Sequence, residues 1–333
     1  MSDPFDPGKS ILVTGAGGFL GREIVRQAVD AGGSVRAFVR KAPAKPNGAE
    51  QAIGDLLDPA SLARAMRGVG TVIHAAGRAH LFSYDQRRSP FLADNAVGTA
   101  NAVRAAADAA VDHFVLVSSV AVYGRARKAG PVDETVRCHP VSPYAVSKLE
   151  AEERAVEIAA SRSLRLSILR MATLYGPGDP GNVLRLIRAI DRRRFVPIGD
   201  GSARKSLLHV EDAARACLDA LRLPGSPSRV YNVASHPCTM AEVVGLISRH
   251  LGRALPRLRV PVPLALALAR AGRALRIPRI AGAAESIEKL LQDDVFSIRL
   301  FEEATGFRAR VPFDRGIAGE VDWYRTLQSG SPR

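Results

Sequence analysis

The residues with the clearest chemical potential lie in the segment "SPYAVSK", where Tyr144 and Lys148 stand four positions apart. The segment is typical of a helix start, and residues four apart share one face of a helix. A tyrosine phenol titrates near ~10 in water, so it needs a nearby positive charge to act as a base close to neutrality. The lysine supplies such a charge, and the pair could move a proton to or from a substrate hydroxyl. The same spacing also occurs on ordinary helix surfaces, so the surrounding elements decide its meaning.

A glycine-rich segment near the start of the chain, "TGAGGFLG", predicts a binding site for a dinucleotide. It follows the apolar run Ile11–Thr14 and precedes a predicted helix. In such a turn the first glycine allows a sharp bend, the second lets the backbone approach a pyrophosphate, and the third allows close packing of helix on strand. The N-terminus of the helix favours the anion. The residues predicted to contact it are Gly15, Gly18, Phe19, Leu20 and Gly21. The alternative is a glycine-rich turn without a ligand.

Strand-like and helix-like segments alternate through the first half of the chain. Apolar strand patterns cover residues 34–40, 71–77 and 113–124, and another begins at 165; a helix is predicted over 94–110. This alternation predicts an α/β fold with a Rossmann-type doubly wound parallel sheet. After Gly178, loops lengthen and helices dominate, with short strands expected near "RVYNVA" and "LRVPV". We therefore expect residues 1–178 to form mainly the dinucleotide-binding domain, and residues 179–330 a smaller, mostly C-terminal α/β substrate-binding region interleaved with the sheet.

Further segments follow the glycine turn in a characteristic order. They are "DLLD" (55–58), "HAAG" (74–77), "NAVGT" (95–99), "VSSVAVYG" (117–124), "SPYAVSK" (142–148), "LRMATLYGPGD" (169–179), "GDGSARKSLLHVEDAARA" (199–216) and "YNVAS" (231–235). Together with the GxxGxxG spacing, they resemble the extended short-chain dehydrogenase/reductase superfamily, and within it the NAD-dependent epimerase/dehydratase family. The resemblance covers almost the whole chain.

The resemblance implies a role for each of several residues. Ser119, Tyr144 and Lys148 would be catalytic: Ser119 would hydrogen-bond the reacting oxygen while Tyr144 moves the proton and hydride passes to or from a nicotinamide. The residues expected to border the cofactor are Asp55, Leu56, Ala75, Ala76 and Gly77, together with Tyr144 and Lys148. Ser118 is expected only to satisfy backbone groups, and Asn95 to support the site.

The end of the second strand bears on the choice of cofactor. An acidic residue there would bind the ribose hydroxyls of NAD, whereas an arginine suits the 2′-phosphate of NADP. The strand ends "FVRKA", so Val39 occupies the expected acidic position and Arg40 follows. We therefore expect NAD(P) as cofactor, with NADP favoured and Arg40 in contact with it. The alternative is that Arg40 and Lys41 are solvated basic residues.

The second half of the chain resembles enzymes of nucleotide sugars. Relatives contact the sugar nucleotide at the position of Asn182 and its diphosphate near Arg204 and Lys205, although both cations could instead belong to a solvated loop. Arg78 and His80 are weaker candidates for the substrate side.

The sequence also departs from familiar members of the family. Met171 and Thr173 replace a proline and an asparagine, which weakens any transfer of UDP-galactose specificity. Val120 and Ala121 stand where dehydratases have an Asp–Glu pair, which argues against a 4,6-dehydratase.

These residues predict oxidoreduction at a sugar carbon of a nucleotide sugar, of the 4-epimerase or 4-ketoreductase type, in surface polysaccharide or glycan precursor synthesis. Two alternatives remain. One is an NADP-dependent 3β-hydroxysteroid or dihydroflavonol-type alcohol dehydrogenase. The other is a non-catalytic NADP-binding regulator, although such proteins usually lose the tyrosine or the lysine. Relatives often dimerise through the helices near Asn95 and Tyr144, so a homodimer is expected.

Composition narrows the classes of partner. The net charge of +14 would suit phosphate-bearing substrates or a basic surface, but no nucleic-acid motif accompanies it, and no nucleic-acid partner is expected. The three scattered cysteines and the isolated histidines predict no metal site.

With no secretory signal and no apolar run long enough to span a bilayer, a cytoplasmic location is expected. A segment at 260–280 combines leucines with arginines. We expect it to pack on the substrate region, and contact with an anionic membrane is the alternative.

Overall fold

The computed structural model describes residues 9–41, 48–79, 91–124, 130–223, 228–267 and 290–329. The chain forms two compact units. Unit 1 runs to Leu174 and includes Val210–Ala234 and Phe296–Arg310, whereas unit 2 comprises Tyr175–His209, Ser235–Val295 and the residues from Val311 onward. Which ligand each unit binds stays a prediction.

Strands and helices alternate in the order that the sequence predicts. The strands of the described residues are β1 Ser10–Thr14, β2 Val35–Val39, β3 Glu50–Ile53, β4 Val69–His74, β5 His113–Ser119, β6 Arg165–Met171, β7 Thr173–Tyr175, β8 Arg204–Lys205, β9 Leu207–His209, β10 Arg229–Val233 and β11 Cys238–Thr239. The α-helices include α1 Phe19–Asp30, α2 Pro59–Ala65, α3 Gly98–Asp108, α4 Pro143–Ser161, α5 Asn182–Asp191, α6 Val210–Ala220, α7 Met240–Leu251, α8 Arg299–Thr305 and α9 Phe313–Gln328.

Unit 1 is built on a parallel sheet with the strand order β3-β2-β1-β4-β5-β6-β10. The central strand β1 is buried on both faces, with Leu12 and Val13 inaccessible to solvent, as is typical of parallel sheets covered by helices. The chain proceeds outward from β1 to β3 and then returns to β4 on the other side of β1. Ligands of such folds bind where the strand order reverses, beyond the carboxyl ends of the strands.

Helices pack on this sheet in two groups. Apolar residues of α2, α3 and α4 form one core cluster with strand residues such as Leu12, Val72 and Phe114. Helices α1 and α6 pack against each other and contribute no residue to that cluster. This arrangement confirms the predicted doubly wound Rossmann-type α/β fold.

Several boundaries differ from the sequence prediction. The strand predicted over 113–124 ends at Ser119, because the Ser119 hydroxyl accepts a hydrogen bond from the Ala121 N–H and caps a 3₁₀ turn over Val120–Tyr123. The helix predicted over 94–110 begins as a π-helical turn, Leu92–Val97. The strand expected near "RVYNVA" is β10, and it belongs to the edge of the central sheet. The segment "LRVPV" contributes a single bridge, from Val260 to Ile198.

Unit 2 has a core of its own. Helices α5, α7 and α9 bury Ile187, Ile247 and Val321 against one another. Helix α7 begins with a capping box in which Thr239 and Glu242 exchange hydrogen bonds. Strands β8 and β11 pair antiparallel beside it.

Candidate active site

The glycine turn of unit 1 is too tight for side chains. Gly15 has a φ of +68°, and a Cβ atom there would lie 2.7 Å from the Cα of Ala76. A Cβ atom on Gly21 would lie 2.0 Å from the Gly15 carbonyl oxygen. Helix α1 begins directly after this turn, and Gly18 gives it no side-chain cap. Its first N–H groups therefore suit an anion, which is the arrangement that the phosphates of a dinucleotide require.

The end of β4 is fixed against the glycine turn by a buried histidine. His74 hydrogen-bonds Thr14 through Nδ1 at 2.8 Å and Thr99 through Nε2 at 3.1 Å. Burial, aided by the charge of Lys148, lowers the pKa of His74 to about 3, so its ring is neutral. The Thr14 hydroxyl also accepts a hydrogen bond from the Ala76 N–H at 3.3 Å. These contacts fix Ala75 and Ala76 against the glycine turn. His74 therefore has a structural role.

The ends of β2 and β3 carry the other residues predicted for the cofactor. Val39 is buried at the end of β2, and Arg40, the next residue, is exposed. Asp55 follows β3; its backbone N–H donates to Ser61, and its carboxylate accepts a hydrogen bond from the Leu57 N–H at 2.8 Å. The Leu56 carbonyl accepts a hydrogen bond from Asn101 at 3.0 Å, which ties this turn to α3. All of these groups lie at the carboxyl edge of the sheet.

The first turns of α4 meet the end of β5. The Ser142 hydroxyl caps the helix by accepting a hydrogen bond from the Ala145 N–H, so Tyr144 lies in the first turn and Lys148 one turn later. The Lys148 ammonium is buried and donates to the Val117 carbonyl at 2.8 Å. The Ser119 side chain lies close enough to the Tyr144 hydroxyl to lower the pKa of that hydroxyl, against the effect of burial. The three residues predicted to be catalytic therefore converge at one point.

The environment shifts the pKa values of these groups in opposite senses. Burial raises the pKa of Tyr144, and the nearby Ser119 side chain opposes that shift only in part. Burial lowers the pKa of Lys148 to about 8, against the attraction of the Glu152 carboxylate. Near neutrality the tyrosine therefore holds its proton while the lysine remains mostly charged.

A buried ion pair lies behind this cluster. Glu152 accepts hydrogen bonds from the Ser118 hydroxyl and from Arg170, whose Nη2 lies 2.6 Å from Glu152 Oε2. The Arg170 guanidinium also stacks 4.9 Å from the centre of the Tyr123 ring. The expectation that Ser118 serves only backbone groups is wrong, because its hydroxyl points to the carboxylate. Sequence reasoning missed Glu152, although its position four residues after Lys148 places both on one helix face.

Asn95 connects the loop after β4 with α4. Its side-chain amide donates to the Ser147 hydroxyl at 2.9 Å and to the Arg78 carbonyl at 3.0 Å, and its oxygen accepts from the Arg78 N–H. A Cβ atom on Gly77 would lie 3.0 Å from Asn95 Oδ1 and 3.3 Å from Lys148 Nζ, so this glycine allows the loop to approach. The Arg78 side chain pairs with Asp94 at 2.6 Å. His80 lies outside the described residues.

Of the residues of unit 2 that were predicted to bind substrate, one is exposed and two form ion pairs. Asn182 is exposed at the first position of α5. Arg204 forms an ion pair with Asp293 at 3.0 Å, and Lys205 forms one with Asp294 at 2.7 Å. Both cations thus have carboxylate partners within their own unit, and contact with a diphosphate would have to compete with them.

Two kinds of feature are absent from the described part of the chain. Among its residues, no cluster of three His, Cys, Asp or Glu side chains has the geometry to hold a metal ion. No helix within the same ranges has the length and apolar character needed to cross a membrane.

Comparison with known proteins assigns the chain to a protein family. The family described as NAD dependent epimerase/dehydratase matches residues 11–234. The chain belongs to this family. A UDP-glucose 4-epimerase of Vibrio cholerae is 30% identical over 77% of this chain and 79% of its own length. A ceramide reductase of Caulobacter vibrioides is 33% identical over 95% of this chain and 94% of its own. The solved structure of MoeE5 in complex with UDP-glucuronic acid and NAD is 27% identical, with a TM-score of 0.75 over 96% of this chain and 99% of its own.

Membership confirms the resemblance found in the sequence. The chain is an NAD(P)-dependent enzyme of the extended short-chain dehydrogenase/reductase type, with an activity of the epimerase, dehydratase or reductase kind. The tight glycine turn and the uncapped start of α1 fit such a cofactor on the geometry of this chain itself.

Proposed function

We propose that this enzyme interconverts a secondary alcohol and a ketone on its substrate. The observation that supports it is the convergence of Ser119, Tyr144 and Lys148 at the end of β5, beside the glycine turn. Bound NAD(P) would supply or accept the hydride.

The protein's own groups would orient the carbonyl and move the proton. The Ser119 hydroxyl is placed to hydrogen-bond the reacting oxygen, and Tyr144 to donate its proton to that oxygen. Because the pKa of Tyr144 is raised, the residue carries the proton that reduction needs. Lys148, anchored on the Val117 carbonyl one helical turn from Tyr144, would place a positive charge near the phenolate. Oxidation would reverse these roles.

NADP is the cofactor that we propose. The end of β2 offers the exposed Arg40 and no acidic side chain, since Val39 occupies that position. An arginine there suits a 2′-phosphate. We expect Arg40→Ala to weaken binding of NADPH about tenfold and to leave NADH binding nearly unchanged, as measured by nicotinamide fluorescence titration. Lys41→Ala is the neighbouring control. Equal losses for both cofactors would contradict the assignment.

For the substrate, our first candidate is a nucleotide sugar that reacts at C4, in surface polysaccharide or glycan precursor synthesis. The support is the similarity to the Vibrio cholerae epimerase and to MoeE5, whose structure contains UDP-glucuronic acid. Asn182, Arg204 and Lys205 would hold the nucleotide diphosphate. A cytoplasmic location and a homodimer belong to the same proposal.

A second candidate, a hydrophobic ketone on a long acyl chain, is favoured by two observations. Arg204 and Lys205 already pair with Asp293 and Asp294, which makes them poorer ligands for a diphosphate. The match to the ceramide reductase of Caulobacter vibrioides covers 95% of this chain, whereas the match to the epimerase covers 77%. This candidate is distinct from the 3β-hydroxysteroid and dihydroflavonol-type alcohol dehydrogenases that the sequence left open.

One experiment separates the candidates. The purified protein is incubated with NADPH and, separately, with a UDP-4-keto sugar or a long-chain acyl ketone in detergent micelles, and loss of the nicotinamide absorbance is followed. Mass spectrometry of the purified protein identifies any retained cofactor. Consumption of NADPH with the sugar supports a 4-ketoreductase, and tightly held NAD with interconversion of UDP-hexoses supports an epimerase. Consumption with the acyl ketone alone supports the second candidate, and no turnover of any of these contradicts the proposal.

A further inference from the structure

Unit 2 carries a surface that the proposed reaction does not use. It consists of residues 192–200, directly after α5, and residues 253–264; we call it the arginine surface. Hydrogen bonds join its two segments, from the Gly199 N–H to the Val260 carbonyl and from the Val260 N–H to the Pro197 carbonyl, each 2.9 Å long. Ile198 and Val260 form a parallel bridge, and Val196 and Leu258 each precede it by two residues.

Positive charge predominates in this region. Residues 192–200 and 253–264 contain six arginines and one aspartate, Asp200. Arg253 is paired with Asp191 at 3.1 Å, and Arg259 donates to the Asp200 carbonyl. The remaining arginines are exposed to solvent: Arg192, Arg193, Arg194 and Arg257. The surface therefore presents a cluster of cations with little internal compensation.

Apolar side chains project among these cations. Leu258 is 86% exposed between Arg257 and Arg259, and Val196 and Leu264 are each about half exposed. A purely solvated basic face would explain the arginines but not the exposure of Leu258. Single exposed apolar residues are common, but three within two hydrogen-bonded basic segments suit a partner that offers both negative charge and an apolar layer.

An anionic bilayer has both properties. Apolar side chains can enter the boundary between headgroups and acyl chains, while arginines pair with lipid phosphates, and each basic residue near such a surface adds favourable free energy. We propose that the arginine surface docks this enzyme on membranes rich in anionic lipid. This inference does not depend on the identity of the substrate. For residues 260–267 it reverses the preference for packing over membrane contact that was expected of the segment 260–280, whose remaining residues lie outside the described ranges.

The test is cosedimentation of the full-length protein with vesicles of phosphatidylcholine, with or without phosphatidylglycerol. We expect binding only to the anionic vesicles, and weaker binding as salt rises. The triple variant R192Q/R193Q/R194Q should lose roughly tenfold to a hundredfold in affinity. Leu258→Asn should lose severalfold at fixed salt, because the burial of a leucine side chain is not screened.

Matched controls remove the same groups from unit 1. The variant R64Q/R67Q/R104Q takes away three exposed arginines, and Val156→Asn takes away an exposed valine of α4. Both should bind vesicles like the wild type, and thermal melting should show every variant folded. Equal losses in the controls would mean that general basicity drives binding. Unchanged binding of Leu258→Asn, or equal binding to vesicles without phosphatidylglycerol, would also overturn the proposal.

Discussion

Tyr144 and Lys148 show how the environment, rather than the residue type, sets the chemistry of the site. Both belong to α4, but their partners, Ser119 and the Val117 carbonyl, lie on β5. Burial pushes the tyrosine toward its neutral form and lowers the pKa of the lysine to about 8. The two residues are thus poised near neutrality as proton donor and cation.

Removal of the phenol hydroxyl tests this assignment. We expect Tyr144→Phe to lower kcat by about 10²-fold to 10⁴-fold, because the variant cannot transfer the proton. Cofactor affinity, measured by fluorescence titration, should stay near the wild-type value, since the glycine turn is untouched. Tyr324→Phe is the control, because it removes a hydroxyl that bonds Asp191 within unit 2. Near-normal turnover of Tyr144→Phe would refute the acid–base role.

At the scale of elements, the site depends on how α4 is held against the sheet. Glu152 lies on the same face of α4 as Lys148, and it joins the helix to β5 through Ser118 and to β6 through Arg170. The carboxylate also raises the pKa of Lys148 against the effect of burial. One buried residue therefore both anchors the helix and sets the pH range of the lysine.

We expect Glu152→Gln to move the high-pH fall of the reduction rate to lower pH. Without the carboxylate, Lys148 loses its proton more readily, so its charge is lost earlier as pH rises above neutrality. The variant should also be less stable, by about 3 kcal/mol or more, because the Arg170 charge is left buried and unpaired. Glu153→Gln, at an exposed position one residue later, is the control. Identical pH–rate profiles for the two variants would exclude a role of Glu152 in the site.

The glycine turn gives a second prediction for an element. Gly21→Ala should abolish cofactor binding and destabilise unit 1, since its Cβ atom would lie 2.0 Å from the Gly15 carbonyl oxygen. Gly245→Ala is the matched control within α7, where no atom lies within 4 Å of the added carbon. That variant should gain about 0.5–1 kcal/mol, because alanine restricts the unfolded chain and favours the helix. Thermal melting and cofactor titration measure both effects, and normal cofactor binding by Gly21→Ala would contradict the prediction.

At the scale of the whole molecule, the sequence predicts the parts of the fold that short-range patterns specify. The glycine turn, the apolar strands and the Ser142 cap are local signals, so β1, α1 and the start of α4 follow from them directly. The ion pairs Arg204–Asp293 and Lys205–Asp294 join residues far apart in sequence, and no local pattern reveals them. The same holds for Arg170 on Glu152. Sequence reasoning therefore finds candidate residues more readily than it finds the partners that decide their availability.

Stability should depend on pH through a buried carboxyl group of unit 2. Glu320 is inaccessible to solvent, and burial together with the nearby Asp179 carboxylate raises its pKa from 4.5 to about 9. The folded state keeps this proton, whereas the unfolded chain releases it above its ordinary pKa. The free energy of unfolding should therefore decline as pH rises from 4.5 to about 9, and this group adds no further decline at higher pH.

Glu320→Gln tests this dependence, because glutamine has nearly the same shape and cannot ionise. We expect the variant to lose much of the decline between pH 4.5 and about 9, and to exceed the wild type in stability toward the upper end of that range. Urea unfolding at a series of pH values measures both. Glu242→Gln is the control, since that carboxylate is exposed and caps α7. Removal of the Glu242 carboxylate should lower the free energy of unfolding at every pH at which that carboxylate is ionised in the wild type. Parallel pH profiles for the wild type and Glu320→Gln would show that Glu320 ionises normally within the fold.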